Sequence, residues 1–408
     1  MNTNRTIWII NQYSSTPETG IAGRSYYLSD ELSKLGFKVY LIAASNHHLL
    51  RLPKLLDSEY LIENINDNFS FVWVNTLKYE EAHSKKRVLN WFRFSHKVKK
   101  ISSFIKEKPD VILFSSPSPI GSLGATYLSK YFKVPFIFEV RDIWPLTLVE
   151  LGGYSENHPF IRFMQWIEDR AYKKSKYVFS NLFNAVEHLK SRGFSSEKFH
   201  WIPNGISLAE VSDKEDLEID ILEKIPKNKF IIGYTGTLGV ANAMDDLIEA
   251  ANIIPINNNI HFVIVGSGKE KEILIRQAKS LNLDNITFID SIPKKQIQSI
   301  LALFDICYIG WKKNSLYRFG IAPNKLPEYL YSKKPIIHAF SGKGDLVTQA
   351  NAGIIVEAEN PKAIAEGIMN IYNLTNTQRE KLGENGQNFV IENLTYKKIA
   401  KKIVNIIE

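Results

Sequence analysis

The chain has 408 residues, 44% apolar and 23% charged, with a net charge of +8. That length exceeds one typical hydrophobic core and calls for two domains. The composition is that of a soluble globular protein, and no apolar run approaches the roughly 18 residues needed to span a bilayer.

The segment Met1 to Arg5 is polar and leads straight into a strand-like run, so no signal peptide is expected. Strands are predicted at Thr6–Asn11, Lys38–Ala43, Phe69–Val74, Asp110–Ser115, Pro135–Val140 and Tyr177–Ser180. Most are short β-branched or aromatic runs without alternation, as parallel strands covered on both faces require. Helical patterns lie between them, for example Gly23 to Leu35, which ends at Gly36. Lys78 to Lys108 holds ten Lys/Arg and three acids. Within it Trp91, Phe94, Val98, Ile101 and Ile105 recur at helical spacing. A basic helix with such an aromatic edge can lie on an anionic membrane surface, or pack on its own domain with a solvated cationic face. The basic residues are not spread over the chain and no nucleic-acid motif is visible, so nucleic acid is not an expected partner.

Ser207 to Lys229 is charged, poor in aromatics and weakly periodic, and reads as a linker. Strand patterns resume at Phe230–Tyr234, His261–Val265, Thr287–Ile289, Ile306–Ile309, Ile336–Ala339 and Ile354–Val356. Cys307, the single cysteine, excludes an internal disulfide and a thiolate metal cluster. Its apolar run marks it as a buried, inert thiol. These points favour the cytoplasm. Gln378 to Glu408 reads as one or two amphipathic helices. The fold class is therefore α/β, with two doubly wound parallel-sheet domains facing a cleft. The boundaries fall at 1–206, 207–385 and 386–408, the last helix crossing back to the first domain.

Ligands of open α/β sheets sit beyond the carboxyl ends of strands, so the loops there hold the candidate residues. After the first strand, Gly20 and Gly23 allow close backbone approach where a helix opens. After Asp110–Ser115, the serines from Ser116 suit a sugar or phosphate, or cap a helix. After Pro135–Val140 come Arg141, Asp142 and Trp144. The charged pair is costly to bury unless paired or used, and the ring can stack on a sugar or a lipid-proximal group. In the second half, Tyr234 leads to Gly236 and Thr237, suited to a diphosphate. Gly266-Ser267-Gly268 begins like a dinucleotide fingerprint, but the third position is Lys271. Arg318 to Ile337 holds Pro323 and Asn324 in a loop, then Lys325 and Glu328 three residues apart. One carboxylate, Glu328, can accept both ribose hydroxyls, and Lys325 can face a phosphate. No Asp-x-Asp pair occurs, and His47 and His48, beside Leu49 and Leu50, read as structural, so no metal is expected. Lys312, Lys313, Arg318 and Lys325 are then the cations available to a diphosphate leaving group.

In order and spacing these pieces resemble the retaining, metal-independent family 4 glycosyltransferases of GT-B fold. The resemblance is strongest to bacterial O-antigen and capsule transferases of the N-acetylfucosamine type. It rests on Asn11-Gln12-Tyr13 with Gly20 to Arg24, Ser115-Ser116-Pro117, Glu139 to Pro145, Ile202 to Gly205, Gly266 to Gly268, and Ile321 to Glu328. It implies a UDP-sugar donor on the second domain, with Glu328 as the second acid of an E-x7-E motif. Ile292 matches the position whose backbone meets the base. Gly236 and Thr237 lie near the diphosphate, and the first domain takes the acceptor through Ser116, Arg141 and Trp144. Lys325, Glu328, Arg141 and Asp142 are the catalytic candidates, with no cofactor beyond the donor. Three positions depart from the family. The first motif acid is Gly320, the usual Arg and Lys fall near Thr237 and Asn242, and a usual histidine is Arg141. Lys325, with Arg318, is inferred to replace the missing cations. The expected reaction is sugar transfer to a saccharide, with polyprenyl diphosphate as its carrier at an inner membrane face. The alternatives are a UDP-sugar epimerase or hydrolase on the same fold, or a degenerate nucleotide-binding homologue.

Overall fold

The structure, a computed structural model, describes residues 5–79, 84–255 and 259–408. The chain divides into two units. The first runs to Pro203 and also takes Tyr396–Glu408; the second is Asn204–Thr395.

The first unit runs β1 (Thr6–Ile10), α1 (Arg24–Lys34), β2 (Lys38–Ala44), β3 (Tyr60–Asn66), β4 (Phe69–Val74), α2 (Lys85–Lys100), β5 (Val111–Ser115), α3 (Ser122–Phe132), β6 (Phe136–Val140), α4 (Leu146–Glu150), α5 (Pro159–Lys174), β7 (Tyr177–Ser180), α6 (Ala185–Ser191) and β8 (Phe199–Trp201). Its sheet has the order β3-β4-β2-β1-β5-β6-β7-β8, parallel except for β3 against β4. The central strands β1, β4, β5 and β6 are buried at every position, which is why they read as unbroken apolar runs. Ile7 and Ile9 pack with Leu28 and Leu32 of α1 on one face. Trp8 points to the other and meets Phe132 of α3 at 5.4 Å, edge to face. Two strands escape the sequence pattern. β3 is a partly exposed strand at the sheet edge with a bulge at Asn64/Asn66, and β8 has three half-buried residues.

The second unit runs α7 (Leu208–Ser212), α8 (Ile219–Glu223), β9 (Phe230–Thr235), α9 (Met244–Ile253), β10 (Ile260–Val265), α10 (Lys271–Ser280), β11 (Ile286–Ile289), α11 (Ile297–Ala302), β12 (Ile306–Gly310), α12 (Lys325–Tyr331), β13 (Ile336–Ala339), α13 (Leu346–Gln349), β14 (Gly353–Val356), α14 (Pro361–Tyr372) and α15 (Asn376–Phe389). All its strand pairs are parallel, in the order β11-β10-β9-β12-β13-β14. The order reverses at β9, and crevices for ligands open at such reversals.

Ser207 to Lys229 is not a free linker. It folds into α7 and α8, and Val211, Leu217, Ile221 and Ile225 join the core of the second unit. Their apolar spacing is sparse because two very short helices need only one buried side chain per turn. Among the residues of the basic segment, Trp91, Phe94, Val98, Ile101 and Ile105 are all buried. The aromatic edge therefore packs inward on its own domain, the second of the two arrangements open to it.

The return to the first unit comes later than residue 386. α15 stays with the second unit, where Asn385 Nδ2 donates to Asn351 O (3.0 Å) and Gln387 Nε2 to Tyr331 O (3.2 Å). The crossing residue is Thr395, after which α16 (Tyr396–Ile407) packs on α1. Ile399, Ile403 and Ile407 are buried there, each contributing roughly 1.5–3 kcal/mol. Tyr396 stacks on Tyr27 at 5.5 Å.

Candidate functional site

Three successive loops of the second unit, after β9, β10 and β11, meet around a cavity of about 350 Å³. Its lining includes Gly236, Thr237, Gly266, Ser267, Ser291 and Ile292. Gly266 has φ +154°, and a Cβ there would fall 1.8 Å from Gly236 O, so only glycine lets the two loops approach this closely. Leu238 N–H donates to Ser267 O (2.9 Å), and Tyr234 Oη donates to Thr237 O (2.7 Å), fixing the loop after β9. Gly236, Thr237, Gly266 and Ile292 thus come together as the motif order suggests.

Lys325 opens α12. Its Nζ donates to Tyr234 Oη (2.7 Å) and lies 4.0 Å from the centre of the Tyr234 ring. A Cβ on Gly236 would stand 2.5 Å from that Nζ, which puts the ammonium group beside the cavity wall. Burial brings Lys325 down to about 7, against the pull of Glu328. Glu328 forms an ion pair with Lys294, in the turn between Ile292 and Ile297. Burial raises its carboxyl above the usual range, and Lys294 opposes that shift. Gln298 Nε2 also reaches Glu328 O (3.4 Å). Asn324 is exposed, and its Oδ1 accepts from Asn204 Nδ2 (3.0 Å), which also donates to Ala322 O (2.7 Å). Pro323 is half-buried.

The other expected cations are turned elsewhere. Lys312 pairs with Asp245 (2.7 Å) and Asp246 (3.3 Å), and Lys313 with Glu357 (2.7 Å). Arg318 donates to Ser315 O of its own turn (2.6 Å) and lies over Phe319. Gly320, at the position where the resemblance leads one to expect the first motif acid, has φ 95° and ψ 174°. That region is open essentially to glycine alone. The missing acid is thus tied to a backbone turn that a glutamate could adopt only under strain.

In the first unit the candidate residues surround a buried polar knot. Arg24 Nη2 meets Glu139 Oε1 at 2.8 Å, and both side chains are almost fully buried. Arg24 also donates to Ile202 O (2.9 Å), and Ser115 Oγ donates to Glu139 Oε2 (2.6 Å). Burial pushes the Glu139 carboxyl up, but Arg24, Arg141 and Ser115 together hold it below its usual range. Ser116 Oγ accepts from the Arg141 amide (3.0 Å), and Arg141 Nε is buried without a hydrogen-bond partner among the described residues. Arg141 and Asp142 do not form an ion pair. Asp142 instead accepts from Trp144 Nε1 and Thr147 Oγ1, each at 3.3 Å. The Trp144 ring is half-buried, edge-on to Trp91 (5.4 Å) and 5.9 Å from the Arg87 guanidinium. Gly20 N–H donates to Thr16 O (3.0 Å), so its amide is held within the loop, while Gly23 precedes α1 in an extended conformation. His47 is buried, which lowers its imidazole to about 4, and its Nε2 meets Ser14 O (3.1 Å), a structural role.

Two family models match successive parts of the chain. "Glycosyltransferase Family 4" matches residues 19–210 and "Glycosyl transferases group 1" residues 217–389. The chain is a glycosyltransferase of GT-B fold. It is 27% identical over 291 residues to the uncharacterized glycosyltransferase MJ1069 of Methanocaldococcus jannaschii, covering 70% of this chain and 71% of that protein. It is 24% identical over 270 residues to the putative colanic acid biosynthesis glycosyl transferase WcaI of Escherichia coli K12, covering 64% and 66%. Its fold is similar to that of Anabaena Alr3699/HepE, solved in complex with UDP and glucose, with TM-score 0.65, 14% identity and 98% and 99% coverage.

Ser267, Ser291 and Tyr13 stand inside the sequence motifs of this glycosyltransferase without an assigned role, and Lys294 lies outside them. Lys294 was signalled only by a pair of lysines after Pro293, which equally describes a solvated turn. Tyr13 accepts from Trp91 Nε1 (2.6 Å) and Arg87 Nε (3.2 Å), contacts between residues over seventy positions apart that no local pattern announces. Among the described residues, no three His, Cys, Asp or Glu group to hold a metal ion, and no helix is long and apolar enough to cross a membrane.

Proposed function

We propose that this glycosyltransferase moves a sugar from a UDP-sugar to a saccharide carried on polyprenyl diphosphate. The transfer retains the anomeric configuration, needs no metal ion and serves bacterial surface polysaccharide synthesis at the inner membrane face. The observation that carries this reading is the convergence of Gly236, Thr237, Gly266 and Ile292 on one cavity, with Lys325 at its wall. Its volume is in the range of small-ligand sites. Ile292 meets the base, Glu328 exchanges Lys294 for the ribose hydroxyls, and Lys325 faces the diphosphate with the loop amides at Gly236 and Thr237. The UDP held by the Anabaena neighbour and the colanic acid named for the E. coli relative support the donor and the product class. Arg141, whose Nε has no hydrogen-bond partner among the described residues, and Ser116 and Trp144 form the acceptor side.

None of the residues lining this cavity is acidic, so the reading assigns no carboxylate nucleophile there. The acceptor oxygen attacks on the face the leaving group departs from. The new glycosidic C–O bond forms as the bond to the β-phosphate breaks, and the acceptor proton passes to the leaving phosphate. Thermal shift with UDP, GDP and dTDP, followed by transfer assays with the stabilising donor class, tests the proposal. UDP raising Tm while the others do not is the expected result. Stabilisation by GDP or dTDP alone overturns the donor assignment. Conversion of the UDP-sugar at full rate without acceptor overturns transfer.

A further inference from the structure

On the face of the first sheet opposite α1, helices α2, α3 and α5 lie side by side. Gly124 of α3 donates its N–H to Ser95 Oγ of α2 (3.0 Å). The three helices carry twelve lysines and arginines and two acids. Neither acid offsets the outward charge. Glu168 is buried and accepts from Tyr172 Oη (3.0 Å), and Asp169 is paired with Arg192 (2.7 Å). The inward aromatic edge of α2 has left its other face outward, with Lys85, Lys86, Leu89, Phe92, Arg93 and Lys100 exposed.

Aromatic rings stand in that basic field. Phe92 of α2 stacks on Phe163 of α5 (6.1 Å, 21°), and Phe163 on Trp166 (6.1 Å, 22°). Trp166 is 56% exposed. On α3, Tyr127 and Tyr131 stack at 6.4 Å, Tyr131 is 62% exposed, and Lys99 lies 5.9 Å over the Tyr127 ring. Arg93, Lys100, Arg162 and Arg170 form no salt bridge among the described residues. Exposed aromatic rings ordered against one another cost hydration and mark an interaction surface. Tryptophan and tyrosine rings amid lysine and arginine suit one partner best, a bilayer interface with anionic headgroups, where rings enter at headgroup level and cations meet phosphate.

We propose that the outer face of α2, α3 and α5, led by Phe92, Phe163 and Trp166, docks this protein on an anionic phospholipid surface. The assignment agrees with a lipid-linked acceptor but stands on different residues from the donor site, so either can fail alone. The test is co-sedimentation with vesicles of phosphatidylcholine alone and of an equal mixture with phosphatidylglycerol. The wild type binds the mixed vesicles and not the neutral ones. Arg93→Glu with Lys100→Glu weakens binding by at least about tenfold. Phe92→Ser with Trp166→Ser leaves binding at low salt and abolishes what survives at high salt. Circular dichroism and the thermal midpoint, unchanged in both variants, confirm that they are folded. Equal binding by both variants and wild type overturns the proposal. So does binding to heparin without binding to mixed vesicles, which would identify a soluble polyanion. A dimer that Phe92→Ser with Trp166→Ser dissociates overturns it too, since a second copy would then cover the ridge.

Discussion

Lys325 Nζ sits 2.7 Å from Tyr234 Oη and 4.0 Å from the centre of the same ring, so one tyrosine both hydrogen-bonds and shields a buried ammonium group. Burial lowers Lys325 to about 7, whereas a lysine in the unfolded chain titrates near roughly 10.4. Between those values the unfolded chain holds a proton that the folded chain lacks. The contribution of Lys325 to stability therefore rises with pH through that window and is least favourable below it. Lys325→Met should remove this slope, as read from denaturant midpoints at pH about 6.5 and about 9.

The same group makes nucleotide binding pH-dependent. A diphosphate beside Lys325 restores its charge, so UDP binding should take up a proton at pH about 8 and weaken as pH rises further. Calorimetry in buffers of different ionisation heat measures the uptake. Lys325→Met should abolish it and lower affinity by about 10- to 100-fold, the scale of one charged hydrogen bond.

Glu328 is paired with Lys294, so substitutions at the two positions should differ in sign. Glu328→Ala removes the ribose acceptor and should cost about 10- to 100-fold in UDP affinity. Lys294→Met frees the carboxylate and should leave affinity unchanged or raise it a few-fold, by calorimetry. A comparable loss in both would mean that the lysine, not the acid, meets the nucleotide.

Gly320→Glu restores the family's acid but not its backbone. At φ 95° and ψ 174° the new side chain should destabilise the fold by about 1–3 kcal/mol in denaturant unfolding and add no turnover. A gain in activity at unchanged stability would show that the turn accepts the acid.

Arg24 and Glu139 form the buried ion pair under the loops of the first unit. Arg24→Met alone should cost about 3–5 kcal/mol, because it strands a buried carboxylate, and Arg24→Met with Glu139→Gln should cost less than the sum of the single changes. Urea unfolding of the four proteins of the cycle measures the coupling.

The strands most easily read from the sequence are those covered on both faces, such as Thr6–Ile10 and Ile336–Ala339, where burial dictates unbroken apolar runs. The edge strand Tyr60–Asn66 was not legible, because one partner and partial exposure leave its pattern weak. The helix of Trp91 and Phe94 was legible as amphipathic, yet its composition could not say which way the aromatic edge turned. That depended on the sheet and on α3, which are distant in sequence.

By itself, then, the sequence determined two parallel α/β units and the loop residues Gly236, Thr237, Gly266 and Ile292, because strand burial and glycine geometry leave local signatures. Only the tertiary structure decided which charges are free. Lys312 and Lys313 are spent on carboxylates, Lys325 is lodged on Tyr234, and Glu328 is tied to Lys294. The physical reason is that a side chain's charge and availability depend on burial and on partners brought from elsewhere in the chain, and neither is written in its neighbours.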